Sequence, residues 1–86
     1  MLIYLVMIEF SDHALRKMAQ RKLKKAWIQK ALMDPAHIIP GYANRKVAYK
    51  KIGTLYLAVV FVKQEKKLIV LTAHWEKNFR PPKEAQ

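Results

Sequence analysis

Three histidines and a large surplus of cations carry whatever chemistry these 86 residues perform, because the chain has no cysteine. A thiol nucleophile, a thiolate metal site and a disulfide are thereby excluded. Histidine moves protons near neutral pH, and arginine and lysine hold phosphate. Together they suit metal-free cleavage of RNA. That reaction needs a base at a 2′-hydroxyl, an acid at the departing 5′-oxygen and cations around the phosphate. His13 and His74 are the candidate proton carriers. His13 falls in the first turn of a predicted helix, close to Arg16 and Lys17, a setting that suits a proton acceptor. Its alternative is plain packing against the preceding strand, or capping. His74 falls in the last predicted strand, with Thr72 and Glu76 two residues to either side and so on the same face. Glu76 would orient the imidazole, making His74 the candidate acid; an idle strand-end histidine is the alternative. His37, beside Pro35, reads as incidental. The spacing of the three histidines matches no zinc motif, and neither a metal nor another cofactor is expected.

Charge sets the class of partner. Seventeen Lys+Arg against six Asp+Glu give a formal net charge of +11, beyond the magnitude of about 2–8 that keeps a small domain soluble. Such an excess attracts polyanions, either nucleic acid or an acidic protein segment. A solvated ion-pair surface would bring matching acids. Yet Arg16, Lys17, Arg21, Lys22, Lys24 and Lys25 crowd into ten residues, and no acid occurs from Pro35 to Gln64. For two-point phosphate contacts Arg16 and Arg21 are preferred over the lysines Lys17, Lys24 and Lys25. Arg45, Lys50 and Lys51 would track a nucleic-acid backbone along a hairpin. Tyr49 would stack on a base, or else pack beside Val47. Trp27 and Trp75 read as core or interface anchors.

The elements that must position these groups fit one domain over residues 1–86. Leu2–Glu9 reads as a strand, with residues 1–7 as an extension strand whose first six residues drop out if Met7 is the true start. Ser11 caps a helix that runs to about Arg21, with Ala14, Leu15, Met18 and Ala19 as its apolar stripe. After a break at Lys22–Lys24, a second helix turns Leu23, Ala26, Trp27, Ala31 and Leu32 inward and stops at Asp34-Pro35. Strands follow at His37–Ile39, Arg45–Ile52, Thr54–Lys63 and Leu68–Trp75, with Gly53 in a tight hairpin and a polar tail over 76–86. The fold class is α+β: an N-terminal strand and two helices packed on one face of an antiparallel sheet. Helices on one face leave the other open. Either a partner, such as a second copy in a homodimer, covers it, or the tail folds back over it. No apolar run approaches the roughly 20 residues that span a bilayer, so no membrane role is expected. A reducing, cytoplasmic setting is compatible with the lack of cysteine.

The segments FSDHALRKMAQRKL, ALMDP and RKVAYKKIGTLYLAVVFVKQEKKLIVLTAHW, in that order, resemble the RelE/ParE superfamily of toxins from toxin–antitoxin systems. The likeness covers about Ile8 to Trp75. It is closest to a small branch that opens with Ser/Thr-x-His-Ala, here Ser11 to Ala14, followed by arginine, methionine and a second arginine, matched by Arg21. That branch also carries a proline after the second helix and a threonine near the end of the last strand, matched by Thr72. The resemblance implies a compact RelE/ParE-like α+β fold and an acidic antitoxin as partner. It also implies a metal-independent endoribonuclease acting on mRNA, ribosome-bound mRNA included, with His13 and Arg21 at the positions of the branch's own histidine and second arginine; His74 joins them as a catalytic candidate from the residue reading alone. A ParE-like member would instead be a non-catalytic binder that inhibits gyrase, because fold does not fix activity.

Overall fold

The computed structural model describes residues 7–80. The chain runs β1 (Met7–Phe10), α1 (Asp12–Arg21), α2 (Lys25–Met33), β2 (His37–Pro40), β3 (Lys46–Ile52), β4 (Leu55–Gln64) and β5 (Lys67–Glu76). Two helices and one five-stranded sheet make it an α+β domain, with strand order β1-β5-β4-β3-β2. Strands β2 to β5 form the expected antiparallel meander. The sheet as a whole is mixed, not antiparallel, because β1 pairs with β5 in parallel, Met7 opposite Lys67 and Phe10 opposite Val70. An apolar alternation fixes which face a strand buries but carries no sign of its direction. Of the strand expected over Leu2–Glu9, the part before Met7 lies outside the described residues, as does the end of the tail after Arg80.

The start of α1 is set by Ser11. Its backbone is extended (φ −68°, ψ 162°) and its hydroxyl accepts from the Ala14 N–H at 3.0 Å. Asp12 adds a negative charge to the first turn, where the helix dipole favours it. The helix ends where Lys22 turns left-handed at φ 55° and the Leu23 N–H donates back to the Met18 carbonyl at 2.9 Å. Only Ala14 and Met18 of the expected stripe are buried; Leu15 is 41% exposed and Ala19 is exposed as well. One turn inward therefore suffices, because α1 is a single layer over β5. Helix α2 begins at Lys25, so Ala26 lies in its exposed first turn, and Ile28, with Ala31 and Leu32, takes the inward face. Leu23 is buried from the linker, and Trp27 is half-buried against the Trp75 ring at 5.6 Å.

The core lies between helices and sheet: Ala14, Met18, Leu23, Ile28, Ala31 and Leu32 meet Ala48, Leu57, Val59, Phe61, Val70 and Ala73. Alternation puts Val47, Tyr49, Tyr56, Ala58, Val60 and Val62 on the far face. Strand β5 does not alternate throughout. Val60 pairs with Thr72 but Phe61 with Val70, so Leu71 is an extra residue, a β-bulge. Val70 and Ala73 thereby both reach the core, and Thr72 and His74 both face away from the helices.

The open face is partly closed by the chain itself. Ala58 is fully buried although it faces away from the helices. The Phe79 ring stacks on Tyr49 at 3.8 Å between centroids and 13° between planes, and lies 4.9 Å from Tyr56 and 5.7 Å from His37. Of the two covers the sequence allowed, the returning tail is what occupies this patch.

Three strand connections use left-handed backbone, Glu65 (φ 53°) in the β4–β5 turn being one of them. Gly53, at φ 65°, closes the β3–β4 hairpin. Between β2 and β3, Ala43 (φ 55°) and Asn44 (φ 63°) form a type I′ turn, closed by the Arg45 N–H to the Tyr42 carbonyl at 3.1 Å. Alanine in that region costs about 1–2 kcal/mol. Burial elsewhere must offset it. We expect Leu57→Ala, at a fully buried position, to lower stability by about 2–5 kcal/mol. Urea denaturation should read this as a lower midpoint, whereas Leu15→Ala should change stability by less than about 0.5 kcal/mol.

Candidate functional site

Ser11 ties three elements together. Its backbone N–H donates to the Val70 carbonyl at 3.0 Å, and its hydroxyl donates to the Leu71 carbonyl at 3.2 Å while accepting from Ala14. The start of α1 is thereby fixed at the bulge of β5. Beside this joint lies an open hollow of about 430 Å³, lined by Ser11, His13, Arg45, Val60, Leu71 and Thr72. The Ser11 hydroxyl has no proton left to offer, so it is a joint and not a nucleophile. Among the described residues, no protein hydrogen bond engages the His13 ring, the Arg45 guanidinium or the Thr72 hydroxyl. A proton carrier, a cation and a hydroxyl thus converge, uncommitted, from α1, the β2–β3 turn and β5.

His74 follows one pleat beyond Thr72, on the same side of β5. Its Nε2 lies 3.2 Å from Glu76 Oε1, the pairing the sequence spacing predicts. A carboxylate only accepts, so the pair needs the ring proton on Nε2, which leaves Nδ1 to exchange a proton with a ligand. His74 is not among the residues that line the hollow. Arg21 is held away from it too: its Nη1 donates to the Ala73 carbonyl, on the edge of β5 that β1 leaves unpaired beyond Val70. Its first observable task is to satisfy that backbone group.

The remaining predicted phosphate contacts divide between layers. Arg16 and Lys17 lie on α1, and Lys24 and Lys25 at the start of α2. Lys24 Nζ sits 5.2 Å from the Trp27 ring centroid and Lys25 Nζ 5.3 Å from that of Phe10, so both are partly engaged as cation–π donors. Lys50 points to the helical side, where its amine meets Asp34 at 3.0 Å. Lys51 is exposed on the opposite side, level with Tyr56. Tyr49 has one ring face taken by Phe79. Besides that ion pair, Lys67 meets Glu9 at 3.2 Å. The cluster of cations over Arg16–Lys25 therefore belongs to the helical layer, and Arg45 with Lys51 to the sheet side.

The sequence reading passed over Phe79, although it is the one large apolar side chain in a polar tail. It missed the bulge at Leu71, which no residue type announces. Among the described residues, no group of three or more His, Asp or Glu is arranged to hold a metal ion, and no helix is long and apolar enough to cross a membrane.

A family model described as "Domain of unknown function (DUF4258)" matches residues 10–75, about three quarters of the chain. The chain belongs to the DUF4258 family. No curated protein and no solved structure matches it. All the residues lining the hollow of this DUF4258 domain fall inside the matched segment, and so do His74 and Arg21. Glu76 and Phe79 fall outside it.

Burial under Phe79, and secondarily the nearby Glu76 carboxylate, raise the Tyr49 hydroxyl above its usual 10.0. Absorbance titration of the DUF4258 domain should show one tyrosine ionising late. Glu76→Gln should lower that midpoint without restoring the usual value, because burial is the larger cause. The folded value exceeds the unfolded one, so the linked stability is complete below the unfolded value and is lost as pH rises through the folded one.

Proposed function

We propose that this DUF4258 domain binds single-stranded RNA across the hollow and cleaves it without a metal ion, as the toxin of a RelE/ParE-like toxin–antitoxin pair. What supports the reading most is the convergence of His13, Arg45 and Thr72 on one opening, each free of protein hydrogen bonds among the described residues. In the proposed reaction, His13 takes the proton of a 2′-hydroxyl as its oxygen attacks the adjacent phosphorus. The 5′-oxygen leaves with a proton from His74, giving a 2′,3′-cyclic phosphate and a free 5′-hydroxyl. Arg45 holds the phosphate, and Thr72 donates to one of its oxygens. Glu76 positions the acid. Arg21 contributes by fixing the β5 edge that carries His74. An acidic antitoxin would neutralise the cations of the helical layer.

One observation favours a second reading, a non-catalytic binder of nucleic acid or of a protein such as gyrase. The densest run of cations, Arg16 to Lys25, lies on α1, the start of α2 and the linker between them, away from the sheet side that carries His74.

The test uses the purified chain on a labelled single-stranded RNA with a chelator present. Cleavage to cyclic-phosphate ends is expected, falling at least about 100-fold in His13→Ala and in His74→Ala. Arg45→Ala should weaken RNA binding and reduce its logarithmic salt slope by about one unit. Cleavage that survives both histidine changes rules the mechanism out. Binding without any cleavage, lost on Lys24→Glu/Lys25→Glu but not on His13→Ala, establishes the second reading instead.

A further inference from the structure

The β2–β3 turn holds a side chain that neither reading has used. Tyr42 is 85% exposed, the most exposed of the large apolar residues described. A single exposed ring is ordinary on a protein surface; what sets this one apart is the turn that carries it. The turn is tightly built. The Gly41 N–H donates to the Arg45 carbonyl at 2.7 Å, and the Arg45 N–H donates to the Tyr42 carbonyl at 3.1 Å. A side chain at Gly41 would press on the Arg45 carbonyl at 3.2 Å. Ala43 and Asn44 both sit in left-handed backbone without a glycine to ease it. Strain of this kind persists where the surroundings over-determine the backbone, and it gathers at ligand sites.

The closure of the turn also sets a distance. Its first and last residues, Tyr42 and Arg45, have Cα atoms within about 7 Å of each other. Arg45 lines the hollow. The residue that carries the exposed ring and the residue that carries the phosphate-holding cation are thus the two ends of one turn. A nucleotide presents the matching pair of features, a flat base and an anionic phosphate, within one unit. Tyr49, the ring that sequence spacing suggested as a stacking platform, already has Phe79 on one face. No aromatic ring is paired with Tyr42 among the described residues.

We propose that Tyr42 is a base-stacking platform for single-stranded RNA, seating the base next to the phosphate held by Arg45. This rests on the RNA-binding reading above and adds the group that grips the base. Stacking on a tyrosine accepts every base, so the contact supplies affinity and position with little sequence preference.

The experiment measures fluorescence anisotropy of a short, labelled 2′-O-methyl RNA, which cannot undergo 2′-hydroxyl attack, and of a matching abasic backbone. The wild-type chain is expected to prefer the base-bearing strand. Tyr42→Ala should weaken that binding about 5- to 150-fold, leave the abasic strand unaffected and keep the salt slope, because no phosphate contact is removed. Tyr42→Phe should bind as the wild type does. If Tyr42→Ala binds the base-bearing strand normally, or loses both strands equally, the stacking role is overturned while RNA binding stands. If the wild-type chain binds neither strand, the RNA reading itself fails, and the stacking role fails with it.

Discussion

The arrangement of this domain depends on how one serine hydroxyl and its own backbone amide are satisfied. Ser11 starts α1, terminates the pairing of β1, and bonds the carbonyl of the residue that β5 carries in excess. A bulge leaves backbone groups without ladder partners, and buried groups of that kind are costly. By accepting that bond, the bulge at Leu71 becomes the anchor for the helix start. Arg21 repeats the device at the other end of the helix, nearly three turns later, where it bonds the Ala73 carbonyl. Helix α1 is thus stitched along the strand edge that β1 leaves bare, and His13 is carried to the rim of the sheet's far side.

That stitching also explains the division of charge. A helix packed through Ala14 and Met18 alone exposes most of its circumference, and arginines and lysines fill it. Their mutual repulsion is relieved by few acids: among the described residues only Lys50 and Lys67 have a carboxylate within bonding distance. Exposed ion pairs contribute at most about 1 kcal/mol each. Salt, or an anionic partner, is left to compensate the rest. The hollow is different in kind, since it offers a single guanidinium beside hydroxyl and imidazole groups over an apolar floor of Val60 and Leu71. Bulk attraction and local chemistry are thus assigned to separate surfaces.

Much of this was legible in the residues. The Ser11 cap, the break at Lys22, the stop at Asp34-Pro35 and the β3–β4 hairpin at Gly53 are local signals, and each falls where its residue type puts it. The His74–Glu76 contact follows from a spacing of two on a strand. What failed to show was non-local. The direction of β1 depends on which sheet edge is vacant, and the exposure of Leu15 and Ala26 on how shallowly each helix sits. The grouping of His13, Arg45 and Thr72 needed the bulge, because an unbroken alternation from Val70 onward would have turned Thr72 and His74 toward the helices. Tyr49 shows the limit from the other side: its ring type allowed stacking, and only the path of the tail revealed that Phe79 takes one face.

The matched segment closes at Trp75, but the packing of the sheet does not. The ring that stacks on Tyr49 and meets Tyr56 arrives four residues later, from a stretch outside the matched segment. An excised 10–75 fragment would keep every wall of the hollow while its sheet lost that roof and became a wet, sticky floor. In this chain the outline shared with the family and the boundary of the packed sheet are two different lines.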